Sequence, residues 1–273
     1  MKPSLVTALV HGLLIGLTLV SLFPLLWMLS VSFMPVGAAS ALPPPLIPET
    51  PTLGNYRELF LRAGMLRFAV NSLLLATAVT ACSLVLNTMA GYAFAKLKFA
   101  GRDRTFQTLV GALVSPGQVA LMPLFLLLKQ MGLVNTYGGV IVPALAGIFG
   151  IYLVRQYART IPDELLEAAR VDGAGEFRIF LTIVVPLLRP VLASLAIFTF
   201  LGCWNDFMWP LIVLGDDRLY TLPVAMASLS REHVQDSEMM MAGSVVTVLP
   251  VLILFLALQK HYIQGLLLGS VKG

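Results

Sequence analysis

The sequence is poor in charge. Asp, Glu, Lys and Arg make up only 12% of its 273 residues, about half of the roughly 25% of an average globular protein. A soluble fold of this size cannot cover its surface with so few charges, and a disordered chain needs the opposite balance. Cysteine and histidine are also scarce. Cys82 and Cys203 each lie inside an apolar run, which reads as two small hydrophobes without a disulfide. His11, His233 and His261 are far apart, with neither HExxH nor CxxC, so no cofactor or metal is expected on this chain. No lysine follows a glycine, so GxxxxGK[ST] is absent and the chain has no phosphate-cradling loop. A formal charge of +4, carried by scattered basic residues, gives no footprint for nucleic acid.

What the chain has is apolar length. Apolar residues make up 58% of it, and the mean hydropathy is +0.88, so the solvent for most of the chain is lipid. A helix needs about 20 apolar residues to cross a bilayer, and a central charge costs roughly 2.5 to 3.5 kcal/mol. Charge-free windows therefore mark the spans. Six are expected, over about 5–33, 68–95, 106–128, 138–154, 184–214 and 240–260, in a single transmembrane domain covering 1–273. The first window lacks a convincing signal-peptide cleavage site and reads as a mature helix. The segment 155–183 fails the span test, because nine charges fall between Arg155 and Arg178. Its place is outside the bilayer. With six spans, both termini share a side with this loop; that side carries twelve Lys and Arg against six on the other, which places it in the cytoplasm.

Within the loop, Thr160 and Asp163 have capping-box spacing, and Ile161, Leu165, Ala168 and Ala169 fall on one helical face. Asp163, Glu167 and Arg170 fall on the other. Gly173 is a natural stop, Gly175 opens a second short helix with Phe177, Phe180, Leu181 and Val184 facing one way, and Pro186 ends or kinks it. An amphipathic helix with several acids suits a protein partner better than an anionic lipid surface.

Glu167-Ala168-Ala169, three residues, Gly173, nine residues, then Ile183-x-x-Pro186 resembles the EAA signature of bacterial ABC-importer permeases. Val185 stands where that pattern usually has leucine, and Gly175 where relatives often have serine or threonine. Asn55-Tyr56, Asn71-Ser72, Gly91-Tyr92-Ala93-Phe94-Ala95, Asp172-Gly173-Ala174 and Trp204-Asn205-Asp206-Phe207 are similar, in order, to the carbohydrate-uptake branch. The ending Gly269-Ser270-Val271-Lys272-Gly273 resembles the tail of the maltose-type second permease. The resemblance implies an all-α polytopic membrane fold of the type I importer class, without an enzymatic site. It also implies a second permease, two ATP-binding subunits that hold ATP and Mg, and an extracytoplasmic binding protein delivering a sugar.

On that resemblance, Glu167, Ala168, Ala169, Asp172 and Gly173 form the coupling site for the ATPase, and Gly269, Ser270, Val271, Lys272 and Gly273 touch the same partners. Inside the membrane, Asp206 with Trp204 and Asn205 either lines the solute path or sits at the outer interface, since an intramembrane carboxylate by default faces a cavity or a partner. Asn71, Asn87 and Gln118 are further path candidates or interhelical glue. Pro116-Gly117 and Pro123 are expected to bend or break the third span, and Gly138, Gly139, Gly147 and Gly150 to allow close packing of the fourth. The segment 215–238 is polar and long enough to reach a docked protein. Glycerol phosphate or another polyol remains an alternative solute. An ion-coupled secondary transporter is the alternative class, for which Asp206 is the single coupling candidate.

Overall fold

The computed structural model describes residues 5–232 and 236–268, and the described residues are helical with no strand. Two compact units divide a chain for which one domain was expected. One holds the chain up to Ala69 together with Leu222–Leu252, the other Val70–Thr221 together with the chain from Ile253.

In the first unit, α1 (Leu5–Ser32) is a long apolar rod whose side chains, Leu13, Val20 and Leu26 among them, stay exposed, as a lipid-facing helix requires. Its end is capped from a distance: the Asn55 amide of α2 (Gly54–Leu61) donates to the carbonyls of Ser32 and Met34 at 2.9 and 2.8 Å. This unit also contains the start of α3 (Met65–Lys96), α12 (Leu222–Glu232) and the first half of α13 (Ser237–Leu268). The α13 carboxylate of Glu238 is fully covered and accepts a 2.7 Å bond from the Ala39 amide.

The second unit carries the rest. On α3 the buried face presents Ser72, Ser83, Asn87 and Thr88 beside Leu75, Ala76 and Val79, while Leu73, Val85 and Leu86 point outward. Small and polar residues inside and large apolar ones outside is the pattern that lipid selects, because close backbone approach, not hydrophobicity, holds such helices together. Gly91 is one such approach: a Cβ there would lie 2.6 Å from the Cβ of Val154.

The window 106–128 is not one rod. Helices α4 (Arg102–Ala112) and α5 (Leu121–Gln130) meet at an angle of 98° across Pro116 and Gly117. Pro116 is extended and ends the first helix, whereas Pro123 lies in the first turn of α5, where its missing N–H costs nothing. The expected break is present and Pro123 is not its cause. The fourth window is α6 (Tyr137–Ala144) and α7 (Ile148–Ala158), joined by an irregular turn. Gly139 and Gly150 are the crowded glycines there, the latter against the Asn87 amide; Gly138 and Gly147 are less confined.

The fifth window differs most from expectation. The coupling segment contributes α8 (Asp163–Val171) and α9 (Glu176–Ile179), and α9 continues through a wide π-type turn, Phe180–Val184, into α10 (Val185–Trp204). The Val185 amide reaches back five residues to Phe180, and this wider turn makes room for the Pro186 ring, so the proline neither ends nor breaks the helix. At the other end α10 stops at Trp204, ten residues short of the expected 214. The chain turns at 205–207 and resumes as α11 (Met208–Val213).

Candidate functional site

Helix α8 begins one residue after Pro162, and no side chain caps it. Thr160 does not form the expected capping box: its hydroxyl donates back to the Tyr157 carbonyl at 2.8 Å, because extended Pro162 delays the helix start. Asp163 and Glu164 in the first turn and Arg170 in the last complement the helix dipole instead.

The inward face also differs from the periodicity reading. Leu166 is the anchor, 1% exposed, with Ala169 half-buried behind it; Leu165 and Ala168 are exposed. Adjacent leucines leave the choice of face open at sequence level, and tertiary packing decides it. Leu166 enters a cluster with Ile161, Tyr92, Val154, Ile179 and Phe180, where a buried leucine contributes about 2 kcal/mol. In the second helix Ile179, Phe180 and Val184 are buried, and Phe177 and Leu181 are exposed.

The helix ends in a Schellman turn. Gly173 has φ +80, its amide bonds the Arg170 carbonyl and the Ala174 amide the Ala169 carbonyl, both at 3.0 Å. Asp172 is exposed at the C-cap and its backbone amide bonds the Ala168 carbonyl. Glu167, Ala168 and Val171 face away from the bundle, Val171 almost fully bare at 87% exposure.

Two ties that the sequence reading missed fasten this loop to α3. The Lys96 ammonium donates to the Ile161 carbonyl at 2.5 Å and to the Asp163 carboxylate at 2.6 Å. Glu176 accepts from the Arg170 guanidinium at 2.6 Å and from the Tyr92 hydroxyl at 2.9 Å. Lys96 holds the Asp163 carboxyl below its ordinary range, and Glu176 holds the Arg170 guanidinium above its own. The sequence signals were that Tyr92 falls in the Gly91–Ala95 string and that Tyr92 and Lys96 are polar groups at the end of an apolar span.

The membrane candidates separate. Trp204 is buried and stacks on Phe200 with ring centroids 5.9 Å apart. Asn205 and Gln118 are exposed, Gln118 in the break between α4 and α5. Asn87 is buried, donates to Ser83 at 2.7 Å and packs against Gly150. Asn71 is buried glue, donating to the Arg218 and Tyr220 carbonyls at 2.9 and 3.0 Å and accepting from the Tyr137 hydroxyl at 2.7 Å. Asp206 is half-buried: it accepts from the Trp209 amide at 3.3 Å and forms part of the wall of a cavity of about 320 Å³ with Thr199, Cys203, Trp209, Val79 and Leu124. The tail residues Gly269, Ser270, Val271, Lys272 and Gly273 lie outside the described residues.

The described residues are all helical, with a charged helix-turn-helix set between α7 and α10. The fold agrees with a solved bacterial ABC transporter involved in import of the acidic polysaccharide alginate: TM-score 0.85 at 20% identity, over 96% of this chain and 98% of that one. Residues 87–267 match the family described as binding-protein-dependent transport system inner membrane component, and the chain belongs to that family. It is similar to the arabinooligosaccharides transport system permease protein AraQ of Halalkalibacterium halodurans, 38% identical over 257 residues, covering 93% of this chain and 92% of the relative. It is also similar to the lactose transport system permease protein LacG of Rhizobium radiobacter, 36% identical over 202 residues and 74% of each chain.

Proposed function

We propose that this chain is one of two permeases in an ATP-driven importer of a sugar or oligosaccharide, and that α8 is the helix its ATPase subunits push. The observation that carries this reading is the division of α8 into two faces. Leu166, Asp163 and Arg170 bind it to its own bundle, while Glu167, Ala168 and Val171 are left outward on a helix whose ends are fixed. A short rigid helix with a small, bare, partly apolar face suits insertion into a protein cleft. ATP and Mg belong to the ATPase subunits, since this chain has no phosphate-binding loop. Both termini and α8 lie in the cytoplasm, in keeping with the excess of basic residues on that side.

The relatives named for arabino-oligosaccharides and lactose support a neutral sugar. The Asp206 cavity is the candidate stretch of path: a carboxylate and the Thr199 hydroxyl to take sugar hydroxyls, and apolar walls to let the ring slide. An extracytoplasmic binding protein delivers the solute and a second permease completes the path.

Reconstitution tests this. The chain with its partner permease, two ATPase subunits and binding protein should accumulate sugar in vesicles only with ATP. Glu167→Lys combined with Gly173→Pro should abolish uptake. Uptake that survives those changes, or that the chain performs alone down an ion gradient, contradicts the assignment.

A further inference from the structure

We propose that α3 is a strut that carries motion of the coupling loop along its own length, with Tyr92 and Lys96 as positioning residues at one end and Asn71 toward the other. This rests on α8 being the helix that ATPase subunits move.

At the loop end, Tyr92 and Lys96 are one turn apart on α3 and grip α8 at both of its ends. Lys96 holds the approach and first turn through the Ile161 carbonyl and Asp163. Tyr92 holds the last turn through Glu176, whose other oxygen binds Arg170. Helix α8 cannot shift without taking the end of α3 along or breaking charge-assisted bonds.

At the far end Asn71 uses its whole amide. It fixes the Arg218 and Tyr220 carbonyls and the Tyr137 hydroxyl, which holds the segment leading in sequence into α12. Twenty-one residues separate Asn71 from Tyr92, a rise of about 30 Å at 1.5 Å per residue.

What lies between makes α3 suitable for transmission. Among the long apolar helices described, α1 contains Pro24, α13 contains Pro250, and α10 contains Pro190 and follows a π-type turn. The third window is bent by 98°, and the fourth contains Pro143 and an irregular turn between α6 and α7. Helix α3 has no internal proline, and its one glycine, Gly91, is closed in by Val154. Kinks concentrate at prolines and π-turns, so the jointed helices absorb displacement that α3 passes on. Coupling is reciprocal: a protein that seats on the Arg218–Tyr220 segment biases the position of α8 by the same factor that α8 biases its binding.

The test uses the complete importer in vesicles and reads the ratio of binding-protein-stimulated to basal ATP hydrolysis. Tyr92→Phe keeps the ring against Phe180 but loses the donor. Asn71→Ala releases the far end. Val85→Gly with Leu86→Gly, both at exposed positions, leaves every tie intact and softens the middle. Each should lower the ratio by about tenfold, while Lys96→Arg retains it and Lys96→Met does not. A wild-type ratio in Tyr92→Phe and in the double-glycine variant overturns the strut. Failure of the unaltered chain to bind its ATPase subunits overturns the coupling reading itself, and the strut with it.

Discussion

The Lys96 ammonium lies 2.6 Å from the Asp163 carboxylate with its own side chain only 6% exposed, so one covered cation joins the last turn of α3 to the first turn of α8. Each charge also faces the helix pole of opposite sign, positive at a C-terminus and negative at an N-terminus. The loop read as the motor contact is thereby part of the bundle and not a free appendage.

This pair sets a pH dependence. Lys96 depresses the Asp163 carboxyl in the folded chain. A depressed carboxyl stabilises the fold above its unfolded pKa of about 3.9, and that contribution is lost as pH falls through the lower folded value. The tie is therefore complete at neutral pH and lost only in acid. Unfolding midpoints of purified chain, followed from about pH 6 down to pH 3, should fall less steeply below about pH 4 in Asp163→Asn than in wild type.

Lys96→Met removes more. The methionine fills the stem's space, but the covered Ile161 carbonyl loses its donor, which costs about 1 to 3 kcal/mol. Its unfolding midpoint should fall below that of Asp163→Asn at neutral pH, because exposed Asp163 can return to water and the carbonyl cannot.

Gly173 separates backbone strain from packing. No atom lies within 4 Å of a Cβ placed there, so only its φ of +80 resists substitution. Gly173→Asn should couple nearly as well as wild type, and Gly173→Ala should cost about 1 to 2 kcal/mol. Gly173→Pro cannot reach that φ and also loses the amide that binds the Arg170 carbonyl, so it should abolish uptake. Sugar accumulation in the three variants, ranked in that order, is the measurement.

Gly91 gives the opposite case, where space and not backbone angle decides. Gly91→Ala places a methyl 2.6 Å from Val154 and should destabilise the bundle by about 1 to 3 kcal/mol. Val154→Ala in the same chain should recover part of the loss, read as the unfolding midpoint in detergent.

The spans were legible because a charge in lipid is costly, so the windows around α1, α3 and α13 announce themselves. The stop of α10 at Trp204 was only half legible: Asp206, two residues on, fitted either an interface or a path, and in the structure it accepts from the Trp209 amide and faces the cavity. The loop's place and its Gly173 turn could be read from spacing. Its inward face could not, since Leu165 and Leu166 offer equal hydrophobicity and only the surrounding cluster selects Leu166. The ties through Lys96 and Tyr92 join residues 67 and 84 positions apart. Neither helical periodicity nor any short motif spans such distances.

The most direct measurement is a crosslink from Ala168. In a chain with Cys82→Ser, Cys203→Ser and Ala168→Cys, assembled into the whole importer, a thiol crosslinker should join residue 168 to an ATPase subunit, with a yield that changes when ATP is bound. An Ala168→Cys thiol that never joins that subunit, or that a membrane-impermeant reagent reaches from the outer face, contradicts the account.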